Sequence, residues 1–162
     1  MVAFAACRRG FDPIEQGADA PEDTTSEVDD AAPGVCTDAP CNASGGTCVG
    51  ATCVIARTSE SAVTCPSGMP CRIECTGAGR PCRDGASCGG ATVCELRCIG
   101  YRACQVGASC GTAQSCTVTC DGEAACEDGV RPESTGSCTG HCCGLSACAL
   151  GVGSCSLDAV CN

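Results

Sequence analysis

The segment CTVTCDGEAAC, residues 116–126, holds three cysteines in eleven residues and one large aliphatic side chain, that of Val118. Its first two cysteines and Val118 alternate with polar residues, and this period of two predicts a short strand with those three side chains on one face. Gly122 follows at once and predicts a turn. Cys116 and Cys120 would lie about 13 Å apart in a strand, so we expect them not to pair with each other.

This pattern recurs four times, with steps of 22 or 23 residues. The repeats begin at Cys71, Cys94, Cys116 and Cys138. Two glycine columns accompany them, Gly77, Gly100, Gly122 and Gly144 in one and Gly85, Gly107, Gly129 and Gly151 in the other. Glycines at a fixed phase predict turns with positive φ or close backbone approach. One strand and two turns in each repeat favour a mainly β, solenoid-like stack, and an irregular string of small disulfide loops is the alternative.

Stacking the repeats in register brings opposite charges together on neighbouring strands. Arg72 would lie beside Glu95, and Glu74 beside Arg97. Such lateral pairs stabilise sheets by roughly 0.2–1 kcal/mol each. The charge pattern therefore supports the solenoid-like stack.

The composition offers little material for an apolar core. The chain has 162 residues, no Trp, one Tyr and two Phe, but 23 cysteines. Their spacings include no C-x-C and no C-x2-C, the close pairs that metal sites favour. We therefore predict a disulfide scaffold with no metal site, in an oxidising compartment outside the cytosol.

Local pairing follows from the glycine loops, which are short enough to close. The predicted bridges are Cys65–Cys71, Cys75–Cys82, Cys88–Cys94, Cys98–Cys104, Cys110–Cys116, Cys120–Cys126, Cys142–Cys148 and Cys155–Cys161. Pro132 stands where the third repeat should have its fourth cysteine, and Cys143 is available to pair with Cys138. Four further candidates are Cys36, Cys41, Cys48 and Cys53. With Cys7 set aside, about eleven disulfides are expected.

The chain divides into segments of different composition. The predicted organisation is a partial signal-like segment at 1–11, a disordered acidic linker at 12–35, a small four-cysteine module at 36–55, a linker at 56–64 and the repeat domain at 65–162. The motif FAAC at residues 4–7 resembles a bacterial lipobox, which makes Cys7 a lipidation candidate.

Together, FAAC, the acidic linker and the C-x-(I/L/V)-x-C-x-G repeats resemble cysteine-rich repeat lipoproteins of myxobacteria-like bacteria. That resemblance implies a location at the cell surface and no established activity. The sequence departs from the pattern in its shortened signal and in Pro132.

No set of residues predicts catalysis or cofactor binding. His141 is the only histidine, and a metal or redox role beside Cys142 and Cys143 requires reduced thiols or a vicinal disulfide. The acids Asp121, Glu123, Glu127 and Asp128 could attract calcium, although they form no EF-hand loop. The net charge of −10 argues against nucleic-acid binding.

The predicted function is a non-enzymatic structural or recognition module, secreted or at the cell envelope. The alternative is a thiol-rich protein that sequesters metal or buffers redox state. The expected partner is an unidentified envelope or extracellular molecule, with membrane contact only through a lipid anchor. Net charge is +2 over residues 71–115 and −4 over residues 116–137, which predicts weak head-to-tail self-association.

Overall fold

The computed structural model describes residues 35–133 and 136–157, which form a β-solenoid with one short helix. The helix, α1, spans Asp38–Ala43. The long sheet contains β1 (Thr47–Val49), β2 (Thr52–Arg57), β4 (Cys71–Thr76), β6 (Val93–Ile99), β8 (Ser115–Asp121), β10 (Ser137–Cys143) and β11 (Ser156–Leu157), in that order. The short sheet contains β3 (Val63–Thr64), β5 (Ala86–Ser87), β7 (Ala108–Ser109) and β9 (Val130–Arg131).

Each full coil contributes one strand to each sheet, and neighbouring coils pair in parallel. The predicted long strand is confirmed in all four repeats. The second strand of the coil was not predicted. Its signal was the recurring Gly-Ala-Ser-Cys at residues 85–88 and 107–110, but two-residue strands are too short to show a period.

The register places equivalent residues of successive coils beside one another. Ile73 pairs with Leu96, and Leu96 pairs with Val118. These three side chains are fully buried, and with Ile55 of β2 they form a column along the core. The cysteines at either end of each strand point the same way, as the period of two predicted.

Both glycine columns have positive φ, so the predicted turns are confirmed. A Cβ on Gly122, at φ 129°, would lie 2.6 Å from the carbonyl oxygen of Gly100 on the coil before. Glycine is therefore required here both by φ and by close contact between coils. The cysteines that close the loops after these turns also have positive φ, a conformation that is uncommon outside glycine. Cys104 and Cys126, for example, both have φ 48°.

The array begins with a hairpin and ends with a short strand. β1 pairs antiparallel with β2, and β2 pairs in parallel with β4, so the four-cysteine segment and the repeats share one sheet. β11 pairs with β10 at two positions, Thr139 with Ser156 and Gly140 with Leu157. The predicted signal-like segment and almost all of the acidic linker lie outside the described residues.

Candidate functional site

Disulfide bridges occupy the corners of the coils, at both ends of the strands of the long sheet. Seven of the eight bridges predicted within the repeats are present, each closing a loop of six or seven residues. They are Cys65–Cys71, Cys75–Cys82, Cys88–Cys94, Cys98–Cys104, Cys110–Cys116, Cys120–Cys126 and Cys142–Cys148. Because each bridge joins a strand end to the adjacent loop, the same cross-link repeats from coil to coil.

The eighth bridge was predicted wrongly. Cys155 pairs with Cys138, with 4.6 Å between their Cα atoms, and not with Cys161. The last coil is shortened, so Ser156 lies beside Thr139 and the cysteines before them are brought opposite each other. This bridge therefore joins two neighbouring coils, whereas each of the other seven closes a short loop between residues six or seven positions apart.

The expected roles of Cys143 change as well. Cys143 is not the partner of Cys138, which pairs with Cys155. It also forms no vicinal bridge with Cys142, which pairs with Cys148. Cys143 is itself disulfide-bonded. A redox role for adjacent thiols at this position is therefore not supported.

Two further bridges hold the four-cysteine segment. Cys36 pairs with Cys48 of β1, and Cys41 of α1 pairs with Cys53 of β2. The sequence had named these four cysteines without assigning partners. The bridges fasten helix α1 and the residue Cys36 before it to the hairpin of β1 and β2.

The bridges of successive coils stack closely enough for their sulfurs to touch. The Sγ atoms of Cys88 and Cys116 are 3.7 Å apart, and those of Cys110 and Cys138 are 3.4 Å apart. Sulfur is large and polarisable, so these contacts fill space that aliphatic side chains would otherwise take. The interior thus combines stacked disulfides with two columns of apolar residues, one on the long sheet and one on the short sheet. The first contains Ile55, Ile73, Leu96 and Val118, and the second contains Val63, Ala86, Ala108 and Val130.

Three groups of cysteines bring their sulfurs within 4.8 Å of one another. The groups are Cys36, Cys41 and Cys53; Cys75, Cys98 and Cys104; and Cys110, Cys138 and Cys155. Each contains one disulfide and one sulfur of another bridge. Metal ligation requires thiolates, so these groups could hold an ion only after reduction.

Carboxylates form no comparable group in the described part of the chain, where the close sets of potential ligands contain cysteines alone. Asp121 ends β8, and Glu127 accepts a hydrogen bond of 2.9 Å from the Gln105 amide. Calcium binding by these acids stays a prediction.

The outer face of the long sheet has a network of charged side chains at its centre. Arg72 contacts Glu74 along its own strand, at 3.0 Å, and Arg97 contacts Glu74 across strands at 3.8 Å. The registers predicted for Arg72 with Glu95 and Glu74 with Arg97 are confirmed. Arg72 forms its ion pair with Glu74 on its own strand and not with Glu95 on the neighbouring strand.

His141 lies on the same outer face, in β10, beside Thr119 of β8. It is partly exposed, and its two neighbours of interest, Cys142 and Cys143, are both in bridges. Since bridged sulfurs offer no thiolate, the histidine has no thiolate partner among these neighbours.

Tyr101 stands out on a turn of the second repeat. The residue is 44% exposed, and the guanidinium carbons of Arg80 and Arg102 lie 6.0 and 5.2 Å from the centroid of its ring. Distances of this order permit cation–π attraction. The sequence analysis did not single out this cluster, but the signal was there: Arg80 and Arg102 each stand two residues before a bridged cysteine.

A shallow groove of about 180 Å³ crosses the outside of the short sheet. A row of hydroxyl side chains from adjacent strands lines it, Thr64, Ser87 and Ser109, with Arg131 at the end of the row. The Ser87 and Ser109 hydroxyls accept hydrogen bonds from backbone amides two residues on, which fixes their positions. The groove and the Tyr101 cluster are the features most suited to contact another molecule.

Compared with protein-family models, with curated proteins and with solved structures, the chain shows no match in any of the three. Among the described residues, no helix is both long enough and apolar enough to cross a bilayer. The lipidation candidate Cys7 lies outside the described residues. The established description is thus a cysteine-rich β-solenoid held by many disulfides, which fits a structural module.

Proposed function

We propose that this protein is a non-enzymatic structural or recognition module of the cell envelope or extracellular space. The observation that carries the proposal is the repeated corner bridge, which closes coil after coil and leaves the outer faces free to vary. Such a scaffold needs an oxidising compartment. Repeat arrays of this kind present extended surfaces suited to binding.

The Tyr101 cluster supports recognition as one use of this scaffold. Tyrosine and arginine are enriched among the residues that contribute most to binding at interfaces, and here two guanidinium carbons lie 6.0 and 5.2 Å from the centroid of one tyrosine ring. Covalent closure of the turns keeps their positions fixed before binding, which lowers the entropic cost of association. The partner we propose is an envelope or extracellular molecule.

Lipid anchoring is the finer part of the proposal. It is supported by the FAAC motif at residues 4–7, the acidic segment that follows, and the resemblance to cysteine-rich repeat lipoproteins. In this view Cys7 carries the lipid and the acidic segment separates the solenoid from the membrane.

Intact mass spectrometry and thiol counting on natively purified protein test the proposal. We expect almost no titratable thiol before reduction and a mass lower than that of the reduced chain by two hydrogens per bridge. A lipid adduct at Cys7 would support anchoring. Many free thiols in the native protein would contradict the structural role.

The second candidate is sequestration of a soft metal ion, and the three close sulfur groups favour it. Zinc or cadmium binding should then appear in the protein as purified, before any reductant is added. If metal binds only after full reduction, and the bridges are present in the native protein, this candidate fails and the structural role stands.

A further inference from the structure

The cysteines at the corner where the long strands begin form a continuous row of sulfurs, which we call the sulfur ladder. It contains four bridges, Cys65–Cys71, Cys88–Cys94, Cys110–Cys116 and Cys138–Cys155. Contacts at 4.0, 3.7 and 3.4 Å join each bridge to the next, between the Sγ atoms of Cys65 and Cys94, of Cys88 and Cys116, and of Cys110 and Cys138 respectively. Every sulfur of the row therefore bonds or touches the one that follows it.

Bonds and contacts alternate along the sulfur ladder. The order of its members is Cys71, Cys65, Cys94, Cys88, Cys116, Cys110, Cys138 and Cys155. A thiolate formed on Cys138 or Cys65, the second member from either end, thus lies against a sulfur of the neighbouring bridge. Thiol–disulfide exchange requires this arrangement, because a thiolate attacks one sulfur of a disulfide and releases the other.

The contact distances are close to those from which two atoms react. Reacting atoms in a near-attack geometry are about 3–3.5 Å apart, and Cys110 and Cys138 meet this condition at 3.4 Å. The contacts at 3.7 and 4.0 Å need a shift of about 0.5 Å, the ordinary thermal amplitude of a well-ordered atom. Exchange along the ladder therefore needs no large rearrangement of the coils.

Burial separates most of the sulfur ladder from external thiols. The six cysteines of its first three bridges are at most 4% exposed. Cys138, in the fourth bridge, is partly exposed. Because the rate of exchange depends on access, an external dithiol reaches the Cys138–Cys155 bridge before it reaches the other three.

A bridge between neighbouring coils fits at this corner. Cys138 and Cys155 form one, with 4.6 Å between their Cα atoms, because Pro132 stands where a cysteine of the third repeat would have paired with Cys138. The three contacts of the ladder would likewise join neighbouring coils if they became bonds. Those bridges would be Cys65–Cys94, Cys88–Cys116 and Cys110–Cys138.

We propose that the sulfur ladder is a relay for thiol–disulfide exchange, which carries a reduction at one end of the array to the other end. A dithiol reductant first attacks Sγ of Cys155 and releases Cys138 as a thiolate. The second thiol of the reductant then displaces Cys155 and closes the oxidised, cyclic disulfide of the reductant. Two electrons pass from the dithiol to the bridge, and its two protons go to the two cysteines through solvent.

Each later step exchanges one disulfide for another and needs no further electrons. The Cys138 thiolate bonds to Cys110 and releases Cys116. By the same reaction Cys116 bonds to Cys88 and releases Cys94, and Cys94 bonds to Cys65 and releases Cys71. The free thiols are then Cys155 and Cys71, at the two ends of the ladder, which keeps three of its four bridges throughout.

The variant Cys155→Ser tests the relay in the full chain without a reductant, because it leaves a thiol on Cys138. The oxidised protein is held at about pH 8, where part of the thiol is ionised, then acidified, alkylated and mapped by mass spectrometry. We expect about a tenth or more of the thiol to move within hours to the next strand cysteines of the ladder. Those are Cys116, Cys94 and Cys71. No thiol should appear on Cys65, Cys88 or Cys110, which the relay keeps bonded.

The variant Cys71→Ser drives the relay in the opposite direction. Its thiol, on Cys65, should move to the complementary set of Cys88, Cys110 and Cys155, with the same three new bridges. Random scrambling of disulfides would not divide the cysteines into these two sets.

The matched control is Cys126→Ser, which leaves a thiol on Cys120. Cys120 lies in β8 with Cys116, but at its other end, and the described residues give it no such contact with a sulfur of another bridge. We expect this thiol to stay on Cys120.

Circular dichroism establishes that each variant is folded. If neither ladder variant folds, less than one equivalent of dithiothreitol added to the parent chain replaces them. Among the ladder cysteines, thiols should then appear on Cys155 together with Cys138, Cys116, Cys94 or Cys71, and thiols on Cys65, Cys88 or Cys110 would contradict the relay.

Thiols confined to Cys138 and Cys65 in the two folded variants would overturn the proposal. So would thiols spread over both sets in either variant, or a control that exchanges as fast as the ladder variants. None of these outcomes alters the thiol count of the native parent chain, on which the proposed structural role depends.

Discussion

The two ends of the long sheet are finished in different ways. At the N-terminal end β1 pairs antiparallel with β2, and Ile55 of β2 is fully buried. At the C-terminal end, the described residues of β11 pair with β10 at two positions, and Leu157, in the same core column, is 59% exposed. Disulfides hold both ends. Cross-linking therefore does not distinguish the ends; coverage of the core column does.

The largest expected effect comes from removing all the bridges, which should abolish the difference between the ends. In the chain-entropy model each six-residue loop contributes about 2 kcal/mol, and burial of the few aliphatic side chains in the core cannot replace that sum. Full reduction and alkylation should unfold residues 65–157. Far-ultraviolet circular dichroism and limited proteolysis, with a chelator present, measure the loss. A reduced chain that kept its spectrum and protease resistance would contradict this account of stability.

Truncating the core column should have a strong effect in the middle and a weak one at the open end. Leu96→Ala removes a fully buried side chain and should lower the free energy of unfolding by about 2–4 kcal/mol. Leu157→Ala should cost under about 0.5 kcal/mol, because its side chain is already largely solvated. Denaturant unfolding of the oxidised variants gives both values. Equal losses would show that Leu157 is covered within the monomer.

Glycine substitutions compare the middle of the array with its last turn, through the free energy of unfolding that each backbone position costs. Gly122→Ala places a Cβ 2.6 Å from the Gly100 carbonyl oxygen at φ 129°, so we expect a loss of about 2 kcal/mol or more. Gly151→Ala, at φ 94°, meets no atom within 4 Å, so only the φ penalty of about 1 kcal/mol is expected. Gly79→Ala, without positive φ or contact, is the control. If the losses at Gly122 and Gly151 were equal, contact between coils would not explain the requirement for glycine at position 122.

The smallest effect concerns the ion pairs, which the described part of the chain has in its earlier coils and not in residues 136–157. Glu74→Gln removes the contacts with Arg72 and Arg97 and should cost under about 1 kcal/mol, since these side chains are partly exposed. Added salt should reduce the difference from the parent chain. Glu123→Gln is the control, because Glu123 is exposed and the described residues offer it no ion pair. A larger, salt-insensitive loss would mean that Glu74 has another structural role.

Much of the fold could be predicted because the same pattern of cysteines, apolar residues and glycines recurs in successive repeats. The Cys-x-apolar-x-Cys pattern located the long strands, and the distance along a strand excluded pairing within it. The short sheet escaped prediction, since strands such as Ala86–Ser87 and Ala108–Ser109 carry too few residues to show a pattern. The helix and hairpin before the repeats were missed because they occur once.

The candidate surfaces were less accessible to sequence reasoning. Tyr101 and Arg102 are adjacent in the chain, but Arg80 reaches the ring only because the coils stack. The groove depends likewise on strands that bring Thr64, Ser87 and Ser109 into one row. A surface assembled from residues about 22 positions apart requires the coil geometry as well as the repeat length.

The amino-acid sequence alone determined the long strands, the turns and seven local bridges, because each depends on residues close together in the chain. Only the tertiary structure decided the end of the array. The pairing of Cys138 with Cys155 follows from where the shortened coil lies on its neighbour. Contacts between coils depend on the register of the whole stack, and no single repeat contains that information.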